Sequence, residues 1–453
     1  MKSLQVAFLP IVRSTFDVPF AEQMIDDARQ SLVKAGFSLL EASQPIQNLD
    51  AAQQVARDFS SLNPDLVVVF QATFADSTMI VEIAQAIDAP IFLWAVPEPW
   101  TGGRLRLNSL CGINLAGHAL TLRRIPYAYA YASPQDVQTV QKIFDLAQAS
   151  SLSRRLKAAR FGVIGEHPPG MDSCHLDESK LKEVLGVQIE RIPLEDVFAR
   201  ARAIPQSTIE QTQTLLSAQL DNLDTLPQVS LKGTLSVYNA LKEIVIERKL
   251  DGLAVRCWPE FFTEMGCAAC GAMSMLSDGF GQISPIPCSC EADINGTITQ
   301  FILQTLSDAP AFGTDMVGVE QETDQVALWH CGLAPMTMAN PKVRAQGGLH
   351  SNRGLPLVMD FPLKPGEVTF ARLSQATGTL RLVLGKGEML GLPKPFSGTS
   401  GIMRLNLPAQ RFLDLLMSEG LEHHISLVYG DYINALETFA ELVAIPTLIM
   451  DRR

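Results

Sequence analysis

Cys290-Glu291-Ala292-Asp293 is the stretch around which the rest of the chain is organised. Glu291 stands where a helix from Ala292 to Leu306 is expected to begin, and Asp315 follows it by 24 residues. A carboxylate in the first turn of a helix is stabilised by the helix macrodipole, so the predicted position suits an ionised Glu291. Together with His330, which ends a later apolar run, these acids predict a divalent-metal site.

Charge and composition limit what such a site can belong to. The chain has 453 residues, with 48 acidic and 36 basic residues and a net charge of −12. This balance argues against a nucleic acid or an anionic membrane as partner. The apolar runs are far shorter than the roughly 18 residues that a membrane span needs, and the start of the chain reads as a buried strand. Eight cysteines in a chain of this length fit reduced thiols, so we expect a cytoplasmic protein.

The hydrophobic pattern predicts three domains. Residues 1–157 alternate amphipathic stretches with short apolar runs that lack period-two alternation, as in a parallel sheet covered on both faces. The same pattern restarts at Phe161-Gly162-Val163-Ile164-Gly165, where no nucleotide-loop signature follows. After about residue 340, Gly and Pro punctuate short alternating runs. We predict two Rossmann-like parallel α/β domains, residues 1–157 and 158–345, followed by a small antiparallel β-barrel-like domain, residues 346–453.

The candidate ligands combine carboxylate oxygen with imidazole nitrogen. Glu291, Asp315, His330 and the pair His423-His424 form a set that suits Mn²⁺, Co²⁺, Fe²⁺ or Mg²⁺ better than a soft metal. Each acid also has a purely structural reading, Glu291 as a helix cap and Asp315 as a turn residue. In a strand beginning at His423, side chains alternate between faces, so only one of the two histidines is expected to face the site.

The cysteines allow a second kind of metal site. Cys267-x-x-Cys270 and Cys288-x-Cys290 together offer four thiolates, although the second spacing is unusual for structural zinc. Packing of small buried thiols between helices and strands is the favoured reading. Cys331, which follows His330, is also assigned to packing, because neighbours in sequence seldom form a nucleophile–base pair.

Four stretches resemble the L-fucose isomerase and L-arabinose isomerase superfamily, and the shorter L-fucose-isomerase-like members most of all. They are Trp94-Ala95-Val96-Pro97-Glu98-Pro99 with Asn108-Ser109-Leu110-Cys111-Gly112, Cys257-Trp258-Pro259-Glu260, Cys290-Glu291-Ala292-Asp293, and Leu328-Trp329-His330-Cys331-Gly332. With the terminal His423-His424 they span most of the chain.

The resemblance implies a ligand set. The separation of Glu291 and Asp315 matches that of the metal-binding acids of fucose isomerases, and His424, 22 residues before Pro446, matches their ligand histidine. His330 matches a further ligand of arabinose isomerases. Two departures are Ala292, where fucose isomerases carry a polar residue, and Asp315, where arabinose isomerases have glutamate. Because of these departures, the resemblance does not decide whether the metal has three protein ligands or four.

The resemblance also implies partners and cofactors. Mn²⁺ is the expected metal, with Co²⁺, Fe²⁺ or Mg²⁺ as alternatives, and a trimer or hexamer is expected with the active site at a subunit interface. First-domain loops of a neighbouring subunit would then cover the metal. Arg13, Gln71, Trp94 and Glu98 are the expected sugar contacts, with Arg13 suited to an acidic terminus. Core packing is the competing reading for Trp94.

The implied activity is the interconversion of an open-chain aldose and its ketose. Proton transfer between C2 and C1 needs an acid–base group and stabilisation of an enediolate, so Glu291 and Asp315 are predicted to be catalytic. A hydride shift is the second mechanism. A non-catalytic sugar-binding protein and a metal-dependent hydrolase remain alternatives. The sugar stays open among fucose, arabinose, another pentose or hexose, and an acidic sugar such as sulfoquinovose.

Overall fold

The computed structural model describes residues 3–450. The chain forms two compact units, the first ending at Arg154 and the second beginning at Arg155. Within the described residues, no helix combines the length and the apolar character that crossing a membrane requires.

The first unit is built on a five-stranded parallel sheet in the order β2-β1-β3-β4-β5. Its strands are β1 (Gln5–Ile11), β2 (Ser38–Glu41), β3 (Leu66–Gln71), β4 (Ile91–Ala95) and β5 (Tyr127–Tyr131). Its helices are α1 (Val18–Lys34), α2 (Leu49–Phe59), α3 (Thr78–Ala86), α4 (Ser109–Leu122) and α5 (Val137–Ala158), the last extending into the second unit. Alternate residues of β1 enter separate hydrophobic clusters, Ala7 and Leu9 in one and Val6 and Phe8 in the other. Both faces of the sheet are therefore covered, which explains why the strands lack alternation.

Local sequence signals set the ends of the first helix. Asp17 caps α1 by accepting a hydrogen bond from the backbone nitrogen of Phe20 at 3.2 Å. A proline in the first turn suits a position whose N–H has no partner inside the helix. Ala21, Ile25, Ala28 and Leu32 recur at helical spacing and are buried against the sheet.

The second unit begins with a four-stranded parallel sheet in the order β7-β6-β8-β9. Its strands are β6 (Arg160–Ile164), β7 (Gln188–Ile192), β8 (Gly252–Val255) and β9 (Cys288–Ser289). The helices of this part are α6 (Glu178–Leu185), α7 (Leu194–Ala203), α8 (Gln206–Ser217), α9 (Gln228–Arg248), α10 (Glu260–Thr263), α11 (Cys270–Ser277) and α12 (Ile294–Ser307).

Six strands of the second unit close into an antiparallel barrel in the order β16-β11-β10-β17-β14-β15, with β15 pairing back to β16. They are β10 (Phe312–Glu320), β11 (Gln325–His330), β14 (Gly366–Ser374), β15 (Arg381–Leu390), β16 (Thr399–Leu405) and β17 (His424–Tyr429). The remaining elements are β12 (Gln346–Gly348), β13 (Val358–Pro362), α13 (Ala409–Ser418), α14 (Ile433–Leu442) and β18 (Thr447–Ile449). Short 3₁₀ turns occupy 172–174, 223–225 and 336–338.

The predicted fold class is confirmed in its coarse form, as mixed α/β with parallel sheets and an antiparallel barrel. The Rossmann-like description and the three domain ranges stay predictions. The barrel takes β10 and β11 from before residue 345 and its other four strands from after it.

Helix α12 connects the two sheets of the second unit. It packs against β8 of the parallel sheet and against β14 and β17 of the barrel. The turn that precedes it, 290–293, directly follows β9. This turn therefore lies at the carboxyl edge of a parallel sheet, where α/β proteins commonly form their sites.

A glycine inside the barrel gives a test of this packing. Gly385 of β15 lies opposite Phe370 of β14, and an added Cβ would overlap the buried Phe370 ring. We expect Gly385→Ala to destabilise the second unit by about 1–3 kcal/mol through overpacking, measured as a lower midpoint of chemical denaturation. Gly391→Ala is the matched control, because its Cβ would meet Pro365 at an ordinary 3.5 Å. Equal midpoints for the two variants would contradict this packing.

Candidate metal centre

Glu291 lies in a tight turn and not in a helix. Its φ is +58° and that of Ala292 is +56°, so two consecutive residues with side chains occupy the left-handed region. Such a conformation costs of order 1–3 kcal/mol per residue and concentrates at functional sites. Backbone hydrogen bonds from Ala292 N to Val255 O (3.1 Å) and from Asp293 N to Cys290 O (3.0 Å) hold the turn. The predicted helix start was wrong, because α12 begins at Ile294 with Asp293 as its N-cap.

The Glu291 carboxylate has a partner on each oxygen. Trp258 Nε1 donates to Oε1 at 3.1 Å. Oε2 lies 3.3 Å from His423 Nε2 and accepts a weak hydrogen bond from Cys174 Sγ at 3.8 Å. Burial opposes ionisation, but the hydrogen bond with His423 and the charge of His424 lower the pKa of Glu291 overall.

Asp315 and His424 are brought together by the register of the barrel. They are direct partners in the antiparallel pairing of β10 with β17, so their side chains share one face. Asp315 Oδ1 lies 3.3 Å from His424 Nε2. Burial acts to raise the pKa of Asp315, and its contacts with His424 and His330 lower it overall. Oδ1 is also buried without a hydrogen-bond partner among residues 3–450.

His424 is oriented from behind by a buried ion pair. Asp293 Oδ2 lies 3.0 Å from His424 Nδ1 and 2.5 Å from Arg372 Nη1. Asp293 and Arg372 are both almost fully buried, so each charge depends on the other. When the His424 ring is neutral, a proton on Nδ1 shared with Asp293 leaves the Nε2 lone pair facing Asp315 and Glu291, the usual arrangement of a metal-binding histidine with its carboxylate partner.

Electrostatics favours ionised carboxylates and a protonated His424 in this group, so a cation would compete with the proton on His424 Nε2. Burial alone would raise the pKa of Asp293, but Arg372 and His424 hold it well below its usual range. Burial likewise acts to lower the pKa of His424, and the Asp293 and Asp315 carboxylates raise it well above the ordinary value. The carboxylates are therefore ionised at neutral pH.

His423 also reaches the site, which the sequence pattern excluded. Its Nε2 lies 3.9 Å from Asp315 Oδ1, and its Nδ1 lies 3.0 Å from Ser173 Oγ. The exclusion was wrong because β17 begins only at His424. His423 therefore precedes the strand and is free of its alternation, and the two rings lie 4.0 Å apart between centroids.

His330 lies next to the site, beside Cys290 and His424. Its ring centroid is 6.1 Å from that of His424, and its Nδ1 lies 3.3 Å from Cys331 Sγ. The ligand atoms of His330, Cys290 and His424 lie within 4.8 Å of one another. Those of Asp315, His423 and His424 form a second such set, so the two sets share only His424. Its assignment as a ligand stays a prediction.

The donor set fits a divalent cation. Asp315, His423 and His424 each present a ligand atom within 4.8 Å of the others, and Cys174, Glu291 and His424 do the same. An unpartnered buried carboxylate oxygen beside the lone pair of an oriented imidazole is an unfavourable arrangement that a cation would satisfy. Carboxylate and imidazole donors suit the metals expected from the sequence.

The four cysteines considered for zinc have separate partners. The Cys267 thiol interacts with the Thr234 hydroxyl, and the Cys290 thiol interacts with that of Cys257. The Cys288 thiol donates a hydrogen bond to Ile286 O at 3.3 Å. Cys270 faces Cys331 instead, with 3.5 Å between the sulfurs. These contacts support the packing reading for Cys267 and Cys288.

The predicted sugar contacts all lie in the first unit. Arg13 follows β1 and pairs with Asp76. Gln71 ends β3, is buried, and has no hydrogen-bond partner for Oε1 within the described part of the chain. Trp94 is fully buried and donates from Nε1 to Ala132 O at 3.1 Å, as core packing requires. Glu98 accepts from the backbone nitrogens of Arg106, Leu107 and Asn108. Contacts of these residues with a sugar stay predictions.

Comparison with known proteins identifies the family of the chain. Residues 7–157 match the family model for the fucose/sulfoquinovose isomerase N-terminal domain, and residues 359–451 match that for the L-fucose isomerase C-terminal domain. A sulfoquinovose isomerase from Alkalicoccus urumqiensis is 34% identical over 451 residues, covering 98% of this chain and 99% of that protein. The chain belongs to the fucose/sulfoquinovose isomerase family.

Other relatives support the same membership. A sulfoquinovose isomerase from Priestia aryabhattai is 32% identical and covers 99% of this chain and 100% of its own length. An L-arabinose isomerase from Aeromonas hydrophila subsp. hydrophila is 22% identical, covering 100% of this chain and 95% of that protein. The resemblance found in the motifs is confirmed, and so is the enzyme class of the family, aldose–ketose isomerase.

Sequence reasoning missed several residues of this candidate site. Asp293 was read as a helix residue, and Cys174, Ser173 and Arg372 carried no motif at all. Trp258 stood inside a recognised stretch without an assigned role. The pair His423-His424 was the one signal in the sequence for a further site residue, because two histidines at the start of a strand can both point to one site.

The role of Asp293 can be tested by removing only its charge. Asp293→Asn keeps the shape but cannot balance Arg372 or hold the His424 tautomer as strongly. We expect its Mn²⁺ affinity, measured by calorimetry, to fall about 10–100-fold. Asp414→Asn, at an exposed position of α13, is the control and should bind Mn²⁺ as the unsubstituted protein does. Unchanged affinity in folded Asp293→Asn would rule out this positioning role.

Proposed function

We propose that this protein is a metal-dependent isomerase that converts sulfoquinovose to the corresponding ketose. The observation that carries the proposal is the convergence of Glu291, Asp315, His423 and His424 at one point. The names of relatives that match nearly the whole chain support the choice of sugar.

Glu291, Asp315 and His424 are the proposed metal ligands, with His423 or His330 as the fourth. Mn²⁺ is the proposed metal, with Co²⁺, Fe²⁺ or Mg²⁺ as alternatives. When bound, such a cation supplies a Lewis acid that stabilises negative charge developing on the substrate oxygens. The chain's own contribution is to fix its ligands, through Asp293 behind His424 and Trp258 beside Glu291.

Glu291 and Asp315 are the proposed proton carriers. Their lowered pKa values keep both carboxylates ionised at neutral pH, so either is ready to accept a proton. One takes the proton from C2 of the aldose, which gives an enediolate. A proton passes from the C2 hydroxyl to the C1 oxygen, and C1 then receives a proton, which leaves the ketose carbonyl at C2. Trp258 fixes the direction of the Glu291 carboxylate by its hydrogen bond to Oε1.

An anionic sugar needs a cation at its sulfonate end. Arg13 is the proposed contact. Its guanidinium is partly exposed beside Asp76, and the residue itself lies just after the end of the parallel strand β1. A trimer or hexamer in which a neighbouring subunit provides this arginine is part of the proposal.

A panel of sugars tests the activity and the substrate together. Sulfoquinovose, L-fucose and L-arabinose are incubated with the Mn²⁺-loaded protein, and ketose formation is measured. Sulfoquinovose should give the highest kcat/KM. Ketose from L-fucose alone would overturn the choice of sugar. Absence of ketose from every sugar would overturn the isomerase proposal and favour a binding protein.

Conservative substitutions test the two acids. Glu291→Gln and Asp315→Asn should each lower kcat by about 10²–10⁴-fold or more, because each removes a proton carrier as well as a metal ligand. Glu264→Gln, an exposed position in the same unit, is the matched control and should keep full turnover. Circular dichroism establishes that the variants fold, and near-normal turnover in either acid variant would exclude it as a proton carrier.

Solvent isotope incorporation distinguishes the two mechanisms. In D₂O the enediol route exchanges the transferred proton with solvent, so the ketose should carry deuterium next to its carbonyl. Product mass spectrometry measures this label. Ketose formed without any deuterium would favour the hydride shift.

A further inference from the structure

Two thiols face each other beside the candidate metal centre. Cys270 is the first residue of α11, and Cys331 directly follows the end of β11. Their sulfurs are 3.5 Å apart in the reduced state, although 61 residues separate them in sequence. Cys270 is buried and Cys331 is partly exposed. Cys331 is therefore the more accessible residue of the pair, and a second thiol is already in contact with it.

This thiol pair is connected to the site through His330. Cys331 Sγ lies 3.3 Å from His330 Nδ1, and the His330 ring lies beside that of His424. Any movement of Cys331 therefore changes the hydrogen bond that orients His330. The connection is local, because His330 and Cys331 are consecutive residues at the end of one strand.

A third donor nearby, His350, raises the alternative of a soft-metal site. One of its ring nitrogens lies within 4.8 Å of both sulfurs. However, His350 Nδ1 accepts a hydrogen bond from the backbone nitrogen of Asn352 at 3.3 Å. With Nδ1 as acceptor, the proton of the neutral ring is on Nε2, so neither nitrogen offers a free lone pair to a metal. The contacts favour a bond between the two sulfurs.

We propose that Cys270 and Cys331 form a reversible disulfide that lowers the activity of the enzyme when the protein meets a peroxide. The Cys331 sulfur attacks one peroxide oxygen, the O–O bond breaks, and water leaves, giving a sulfenic acid. The Cys270 sulfur then attacks the Cys331 sulfur, the S–O bond breaks, and a second water leaves. Two thiols are oxidised and one hydrogen peroxide is reduced to two waters.

Formation of the bond moves the end of β11. A disulfide is about 2.0 Å long, so the sulfurs must approach by about 1.5 Å. Cys331 also loses its S–H group, which changes its hydrogen bond with His330 Nδ1. His330 is then released from its present orientation beside His424. The resulting loss of metal affinity rests on the proposed function, whereas the bond itself does not.

Peptide mass spectrometry tests the bond in the full chain. Metal-free protein is treated with hydrogen peroxide, the remaining thiols are alkylated, and peptides are separated without reductant. A peptide that joins Cys270 to Cys331 is expected, lighter than the two reduced peptides by two hydrogens. Calorimetry with Mn²⁺ should show at least about tenfold weaker binding after oxidation, restored by dithiothreitol.

Two cysteine variants give the matched comparison. Cys270→Ser should form no cross-link and should keep its Mn²⁺ affinity after peroxide. Cys267→Ser removes a buried thiol three residues earlier and should still form the cross-link. If either variant fails to fold, the mass measurement on the unsubstituted protein still decides the proposal.

Three outcomes would overturn it. They are the absence of the joined peptide, a cross-link between Cys257 and Cys290 in its place, and a Cys270–Cys331 bond that leaves Mn²⁺ affinity unchanged. Failure of the isomerase assay would leave the mass and calorimetric results intact, so the two proposals fail separately.

Discussion

The buried ion pair between Arg372 and Asp293 is the interaction on which the geometry of the site depends. Neither charge is exposed to solvent, and an unpaired charge at this depth would cost several kcal/mol. Asp293 also accepts from the backbone at the start of α12 and from His424 on β17, while Arg372 belongs to β14. One carboxylate thus joins a helix end to two barrel strands, and His424 takes its direction from that junction.

Much of the site could be predicted because the separations of its residues along the chain are visible in the sequence, whereas the folded geometry is not. The separation of Glu291 from Asp315, and that of His424 from Pro446, singled out three residues that the structure brings together. The role of Asp293 could not be predicted. An aspartate before a helix looks the same whether it only caps the helix or also neutralises an arginine that lies 79 residues further on.

The parallel sheets were predictable from short apolar runs, but the barrel was visible only in part. Its strand β15 carries Gly385 and Gly387, which break the alternation that identifies a strand from sequence. These glycines make room for the Phe370 ring and for Met403 of β16. The pairing that closes the barrel therefore depends on contacts between distant residues, which no local window of the sequence contains.

The turn at Glu291 and Ala292 has a further consequence. The left-handed backbone there is one that glycine adopts at little cost, so a chain selected for stability alone would carry glycine at these positions. Glu291 occupies one of them with an ionisable side chain. The strained turn therefore lowers the stability of the folded chain while it positions the Glu291 carboxylate. Variants that relax the turn are expected to lose activity and to gain thermal stability.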